Sequence, residues 1–143
     1  MTAAALAGWE HFDVEADVGV RGWGPSLADA FSQVALGTLA IIVAPEDVLE
    51  SEHREVRAQG DSPEGLLVNW VNECLYVHEI EEFVVRRVEV LRVEDGVVHG
   101  VLHGEVLDRT RHRVGTVVKA ATAHAVVLAT HPDRVEAQLV VDV

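Results

Sequence analysis

The second half of the chain alternates valine with polar and charged residues, and this period of two constrains the fold more than any other feature. Residues 83–93 and 97–107 alternate in this way on either side of Asp95-Gly96. An Asp-Gly pair readily adopts the positive φ angles that a two-residue hairpin turn requires. The pattern therefore predicts a long β-hairpin. Further strands are expected at residues 114–119, 121–129 and 135–141, the last two joined by a turn at 131–133.

Two segments of the first half have helical periodicity instead. Ser26, followed by Asp29 three residues later, has the form of a capping box, and an apolar stripe runs from Leu27 to Ile42 before Pro45. A second helix is expected to begin at Ser62-Pro63, because proline at the first helical position lacks only a donor that has no helical partner. Its buried stripe would comprise Leu66, Leu67, Trp70, Val71, Cys74 and Leu75.

The remaining segments complete an α+β layout. Weak alternation from Trp9 to Trp23, punctuated by glycines, predicts two short strands or a hairpin, and residues 55–59 predict an extended edge segment. The order of strands, helix, strand, helix and a run of strands predicts a compact single domain with two helices packed on a mostly antiparallel β-sheet. We expect this domain to span residues 9–143, after a flexible leader of residues 1–8.

Composition limits the class of function. The formal charge is −13, from 24 acidic and 11 basic residues, which disfavours strong direct nucleic-acid binding. Such a surface suits a basic protein partner or divalent cations, although solubility alone also explains it. No segment approaches the roughly 20 apolar residues of a membrane span, and the first residues lack the basic start of a secretory signal, so a cytoplasmic protein is expected.

Acidic residues near the two ends of the chain are the candidate ligands of a metal ion. Asp13, Glu15 and Asp17 are spaced two apart, which in an extended segment places their side chains on one face. The terminal run predicts a strand that ends with Asp142 beside the free carboxylate of Val143. Hard divalent cations prefer such oxygen-rich settings. The alternative is that both groups of carboxylates are simply solvated.

Sharp catalytic motifs are missing from the sequence. It contains no phosphate-binding loop, no Gly-x-Ser-x-Gly elbow, no Cys-x-x-Cys pair and no His-Glu-x-x-His helix, so we assign no catalytic residue and no organic cofactor. His124 lies within a predicted strand, where it is either an outer partner of a metal-binding carboxylate or a structural histidine.

The opening run Trp9–Gly19 reads Trp-Glu-His-Phe-Asp-Val-Glu-Ala-Asp-Val-Gly. It is similar to the Trp-Glu-His-aromatic-acid-His-Thr-Ala-Asp-aliphatic-Gly pattern of the archease family. The chain therefore resembles archease, a small protein cofactor of the GTP-dependent RNA ligase of tRNA splicing and RNA repair. The resemblance covers the whole chain. It continues through Ser26–Phe31, Leu66–Leu75, Gly104-Glu105, His112, Val118–Ala120 and Gln138–Val143.

The resemblance implies a fold, a site and a role. Asp17 would bind a divalent cation together with Asp142 and Val143; calcium is the ion implied for a crystal, and magnesium or manganese are alternatives. The protein would be a non-catalytic accessory that promotes guanylylation and multiple turnover of the RNA ligase. The family's histidine and threonine before Ala-Asp are replaced here by Val14 and Glu15. The family's tyrosine and aspartate around the later histidine are Ala123 and Ala125.

Two other functions remain open at this stage. Archease-like proteins are also associated with chaperone-like modulation of tRNA-modifying enzymes, such as tRNA methyltransferases. A metal-dependent hydrolase that activates water at the acidic residues Asp13, Glu15, Asp17 and Asp142 is the third possibility.

Overall fold

The computed structural model of the protein describes residues 6–143, and in this part of the chain it has the predicted α+β architecture. Residues 1–5 of the predicted leader lie outside the described residues, whereas Gly8, its last residue, already begins the first strand. The elements are β1 (Gly8–Val14), β2 (Asp17–Gly24), α1 (Leu27–Leu39), β3 (Glu52–Gln59), α2 (Pro63–Glu81), β4 (Phe83–Glu94), β5 (Val97–Val106), β6 (Ala120–Thr130) and β7 (Val135–Asp142).

The strands form two antiparallel sheets instead of one. The first sheet has the strand order β1-β2-β7-β6 and the second has the order β3-β5-β4. The two helices lie between the sheets, because α1 contacts both β2 and β4 while α2 contacts both β6 and β3. Buried apolar side chains from both helices and both sheets form one core. Within residues 6–143, no helix is long and apolar enough to cross a membrane.

Local signals in the sequence set the predicted ends of these elements. Ser26 Oγ accepts the Asp29 N–H at 3.2 Å while the Asp29 carboxylate accepts the Ser26 N–H, which confirms the capping box. Ser62 is the N-cap of α2 and directly precedes Pro63, as predicted. The β4–β5 turn is the predicted Asp95-Gly96 pair, with φ angles of 53° and 72°. Cys74 is fully buried on α2, and this burial raises the pKa of its thiol.

Two predicted elements differ from the structure, and both differences involve the turn that follows α1. Helix α1 ends at Leu39 instead of continuing to Ile42, and residues 114–119 are not a strand. The turn after α1 leaves carbonyl groups free, and Gly115 N–H donates to Ile42 O at 2.6 Å while Thr116 N–H donates to Ile41 O. Gly115 and Thr116 therefore bond to this turn and not to a neighbouring strand.

Helix α1 packs closely on the first sheet at Gly22 on β2. A Cβ atom placed there would lie 2.6 Å from the backbone nitrogen of Val34 on α1, a contact that no side-chain rotation relieves. The absence of a side chain at Gly22 therefore allows α1 to pack directly on β2. This packing holds in place the strand that begins with Asp17.

We expect Gly22→Ala to lower the free energy of unfolding by about 2 kcal/mol or more, because α1 must move off the sheet. Urea unfolding of the wild type and the variant measures this loss. Gly65→Ala is the matched control. A Cβ at Gly65 meets only Ser62 Oγ, at 3.0 Å, so its effect should be small. Equal stability of both variants would contradict the packing argument.

Candidate functional site

The pairing of β2 with β7 brings the two candidate aspartates together from opposite ends of the chain. Val18 pairs with Val141 in this antiparallel ladder, so the same register places Asp17 opposite Asp142 one residue further out. Directly opposed residues of an antiparallel pair point to the same face, with Cβ atoms about 4.5–5.5 Å apart. Both aspartates are partly exposed. The structure thus unites two residues separated by almost the entire sequence.

A third strand extends this arrangement to the chain terminus. Ala120 at the start of β6 pairs with Asp142, and the Lys119 N–H donates to Asp142 O at 2.9 Å. Continuing this register places Lys119 opposite Val143. Sequence reasoning gave Lys119 no role, although it lies in one of the segments that carry the resemblance. Because Ala120 pairs with Asp142 and side chains alternate along a strand, the Lys119 side chain lies on the face of the sheet opposite the Asp142 carboxylate.

The hairpin geometry separates the other two acids from Asp17. Val14 pairs with Asp17, and Asp13 pairs with Val18, so Asp13 lies on the opposite face of the sheet. Glu15 is exposed in the intervening turn, beside Ala16 with a φ of 63°. The expectation that the three acids share one face assumed an uninterrupted strand, whereas the chain reverses at Glu15-Ala16. The neighbour of Asp17 on its own face is therefore the apolar Val14.

His124 lies away from the aspartate pair. The register between β6 and β7 is interrupted between Thr122 and Val127, and His124 is exposed within this irregular stretch. It is four residues from Ala120, the partner of Asp142, which corresponds to about 13 Å along a strand. The structure therefore does not place His124 beside either aspartate.

The donor set at the paired chain ends fits a hard divalent cation. Among residues 6–143, no three His, Cys, Asp or Glu side chains converge as a metal-binding group, so a closed zinc cage is not formed there. The fold supplies the carboxylates of Asp17 and Asp142, with Val143 next in the sequence. Magnesium is commonly bound by one or two carboxylates and several waters, and calcium by more oxygen ligands.

A second polar cluster, buried and not found by sequence reasoning, surrounds Glu105. Its Oε2 atom accepts the Leu49 N–H at 2.7 Å and lies 3.0 Å from His112 Nε2, while Arg111 pairs with Oε1. His112 Nδ1 accepts the Asp108 N–H at 2.9 Å, so the proton of the neutral ring lies on Nε2 and is donated to Glu105. No spacing motif signals these contacts, although Glu105 and His112 are only seven positions apart and Leu49 alone is distant in sequence.

The Glu105 cluster supports the structure and is not arranged as a catalytic dyad. The imidazole nitrogen that would accept a substrate proton, Nδ1 of His112, is already bonded to the backbone, and the ring is buried. Burial by itself raises the pKa of Glu105. The hydrogen bonds from Arg111, Leu49 and His112 outweigh this effect and lower the pKa below its ordinary value of 4.5.

The lowered pKa gives stability a defined dependence on pH. Because the folded state favours ionised Glu105, its contribution is fully present above pH 4.5 and is lost as the pH falls through the lower folded-state pKa. We expect Glu105→Gln to lower the free energy of unfolding by about 1–3 kcal/mol at neutral pH, and by less in acid. Urea unfolding at both pH values measures this. The exposed Glu55→Gln is the control, and a Glu105→Gln deficit independent of pH would contradict the assignment.

Comparison with known proteins gives the family. Residues 9–143 match the model of the Archease protein family. The chain is 40% identical over 139 residues to protein archease of Pyrococcus abyssi, covering 94% of this chain and 98% of the relative. Protein archease of Pyrococcus furiosus is 35% identical with the same coverage.

Solved structures agree with the fold. The solution structure of Methanobacterium thermoautotrophicum protein 1598 superposes with a TM-score of 0.77 at 26% identity, covering 95% of this chain and 99% of that one. A crystal structure of an archease from Thermotoga maritima, described as a possible chaperone, superposes with a TM-score of 0.60 at 16% identity, covering 94% and 96% of the two chains. With the family model matched from the first strand to the last residue, this chain belongs to the archease family.

Proposed function

We propose that this protein is a cytoplasmic, non-catalytic accessory protein that activates a GTP-dependent RNA ligase, promoting its guanylylation and multiple turnover in tRNA splicing or RNA repair. The observation that carries the proposal is the register of β2 and β7, which sets Asp17 opposite Asp142 at the chain terminus. Membership of the archease family supports it. These are the residues to which the family resemblance assigns a divalent cation.

The aspartate pair has the chemistry of a cation-binding site directed at a partner. Two carboxylates on one face of a sheet repel each other unless a positive charge lies between them. A divalent cation bound there supplies a Lewis-acidic charge that oxygen ligands of a partner can complete. Asp17, Asp142 and Val143 would hold it. Val14 provides an apolar side chain beside Asp17 where the family pattern has histidine.

The charge of the protein is compatible with docking on an RNA-binding enzyme. A ligase that holds RNA needs a basic face, and this chain carries a formal charge of −13. Complementary charge accelerates association and makes it sensitive to ionic strength. The same acidic charge disfavours direct binding of this protein to the RNA backbone.

A chaperone-like modulator of tRNA-modifying enzymes, such as tRNA methyltransferases, is the second candidate. The description of the Thermotoga maritima archease as a possible chaperone favours it. The two candidate functions predict different effects of substituting Asp17. Protection of a methyltransferase from aggregation, retained in Asp17→Asn and without stimulation of the ligase, would support the second candidate.

We predict that the wild-type protein raises multiple-turnover RNA ligation by the GTP-dependent ligase of the same organism, assayed with GTP and manganese. Asp17→Asn and Asp142→Asn should each abolish the stimulation, because each removes one of the two opposed charges. The same substitutions should weaken calcium or manganese binding by calorimetry at least about tenfold, or 1.4 kcal/mol.

Asp13→Asn is the matched control for this experiment. It makes the same chemical change in the same hairpin, but its side chain lies on the opposite face of the sheet. It should retain both ligase stimulation and metal affinity. Absence of stimulation by the wild-type protein would refute the proposed function, and an Asp13→Asn defect as large as that of Asp17→Asn would refute the assignment of the site.

A further inference from the structure

A groove of about 450 Å³ lies between α2 and segment 107–119. Its apolar lining includes Ile42, Leu75, Leu107, Val114, Val117 and Val118. Val117 is 69% exposed and Val114 is 38% exposed, although both are apolar. Lys119, which lies opposite Val143 in the β6–β7 register, also lines the groove. The groove therefore lies on the face of the first sheet opposite the aspartate pair.

Segment 107–119 is basic in a strongly acidic protein. It contains Arg109, Arg111, Arg113 and Lys119 against the single acid Asp108. Arg109 and Lys119 both line the groove, and neither takes part in an ion pair within residues 6–143. The other wall carries Glu79 and Glu82 from the end of α2. The two walls of the groove thus have opposite charge.

The basic wall is fixed in place before any partner binds. Near its start, buried His112 bonds to Glu105 and to the Asp108 N–H. In its middle, Gly115 donates to Ile42 O, and at its end Lys119 donates to Asp142 O. A segment with these contacts loses little conformational entropy on binding, which favours affinity.

We infer that this groove binds a short segment of the partner protein that carries both kinds of charge, with one apolar side chain inserted between Val117 and the core. Its carboxylates are directed at Arg109 and Lys119, and a basic side chain is directed at Glu79 and Glu82. The identity of the partner rests on the proposed function. An apolar lining with a charged rim is typical of peptide-binding grooves. RNA fits less well, because the lining has no Phe, Tyr or Trp side chain for base stacking and the carboxylates of Glu79 and Glu82 would repel phosphate.

The first test measures the dissociation constant of the complex with the GTP-dependent RNA ligase at low salt. Val117→Glu and Arg109→Glu should each weaken binding at least about tenfold. Leu91→Glu and Arg57→Glu are matched controls at exposed positions of the other sheet, and they should change the affinity less than about twofold. Groove variants that bind the ligase as tightly as the controls would overturn the inference while leaving the proposed function intact.

A second test does not depend on the ligase. Anilinonaphthalene sulfonate combines an apolar ring system with a negative charge, so it should bind the groove saturably and shift the backbone amide NMR signals of residues 114–119. Val117→Glu should abolish these shifts, and Leu91→Glu should not. Absence of shifts at these amides would overturn the groove as a binding site. Shifts at the groove without any complex between wild-type protein and ligase would refute the proposed function, and with it the partner named here.

Discussion

The pairing of β2 with β7 is the interaction on which the rest of this structure depends. It joins the N-terminal hairpin to the last strand of the chain and forms the centre of the four-stranded sheet. Because side chains alternate along a strand, a shift of one residue in this register would separate Asp17 from Asp142 and expose Leu139. Burial of Val20 and Leu139, which are opposed in the ladder, specifies the register. The same apolar contacts that stabilise the sheet therefore position the carboxylates.

Much of the fold follows from interactions between residues close in sequence, and these parts can therefore be predicted from the sequence. The Ser26 cap, the Ser62-Pro63 start and the Asp95-Gly96 turn each act through residues a few positions apart, which a sequence displays directly. Segment 114–119 has the alternation of a strand but bonds to the turn after α1, a partner about 75 residues earlier. Division of the strands between two sheets is likewise decided by non-local packing.

Some residues of the candidate site were likewise predicted from the sequence, and others were not. Asp17, Asp142 and Val143 follow from motifs at the two chain ends, and the structure gives the aspartates a common face. Asp13 and Asp17 lie on opposite faces of the sheet because the chain reverses after Val14. The sequence pattern did not reveal this reversal. Lys119 was not assigned, because only pairing with a distant strand places it, and the Glu105 cluster was not assigned, because its spacing matches no motif. An acidic protein thus presents an acidic pair on one face of its first sheet, whereas the basic side chains of Arg109 and Lys119 line a separate groove beside α2.

Titration with manganese, followed by paramagnetic broadening of backbone amide NMR signals, tests the site at the paired chain ends most directly. The account predicts that substoichiometric manganese first broadens the amides around Asp17, Ala120 and Asp142, and that Asp17→Asn prevents this. Broadening spread evenly over the acidic surface, or centred on residues 46–52, would show that the paired aspartates are merely solvated. That result would contradict the central claim.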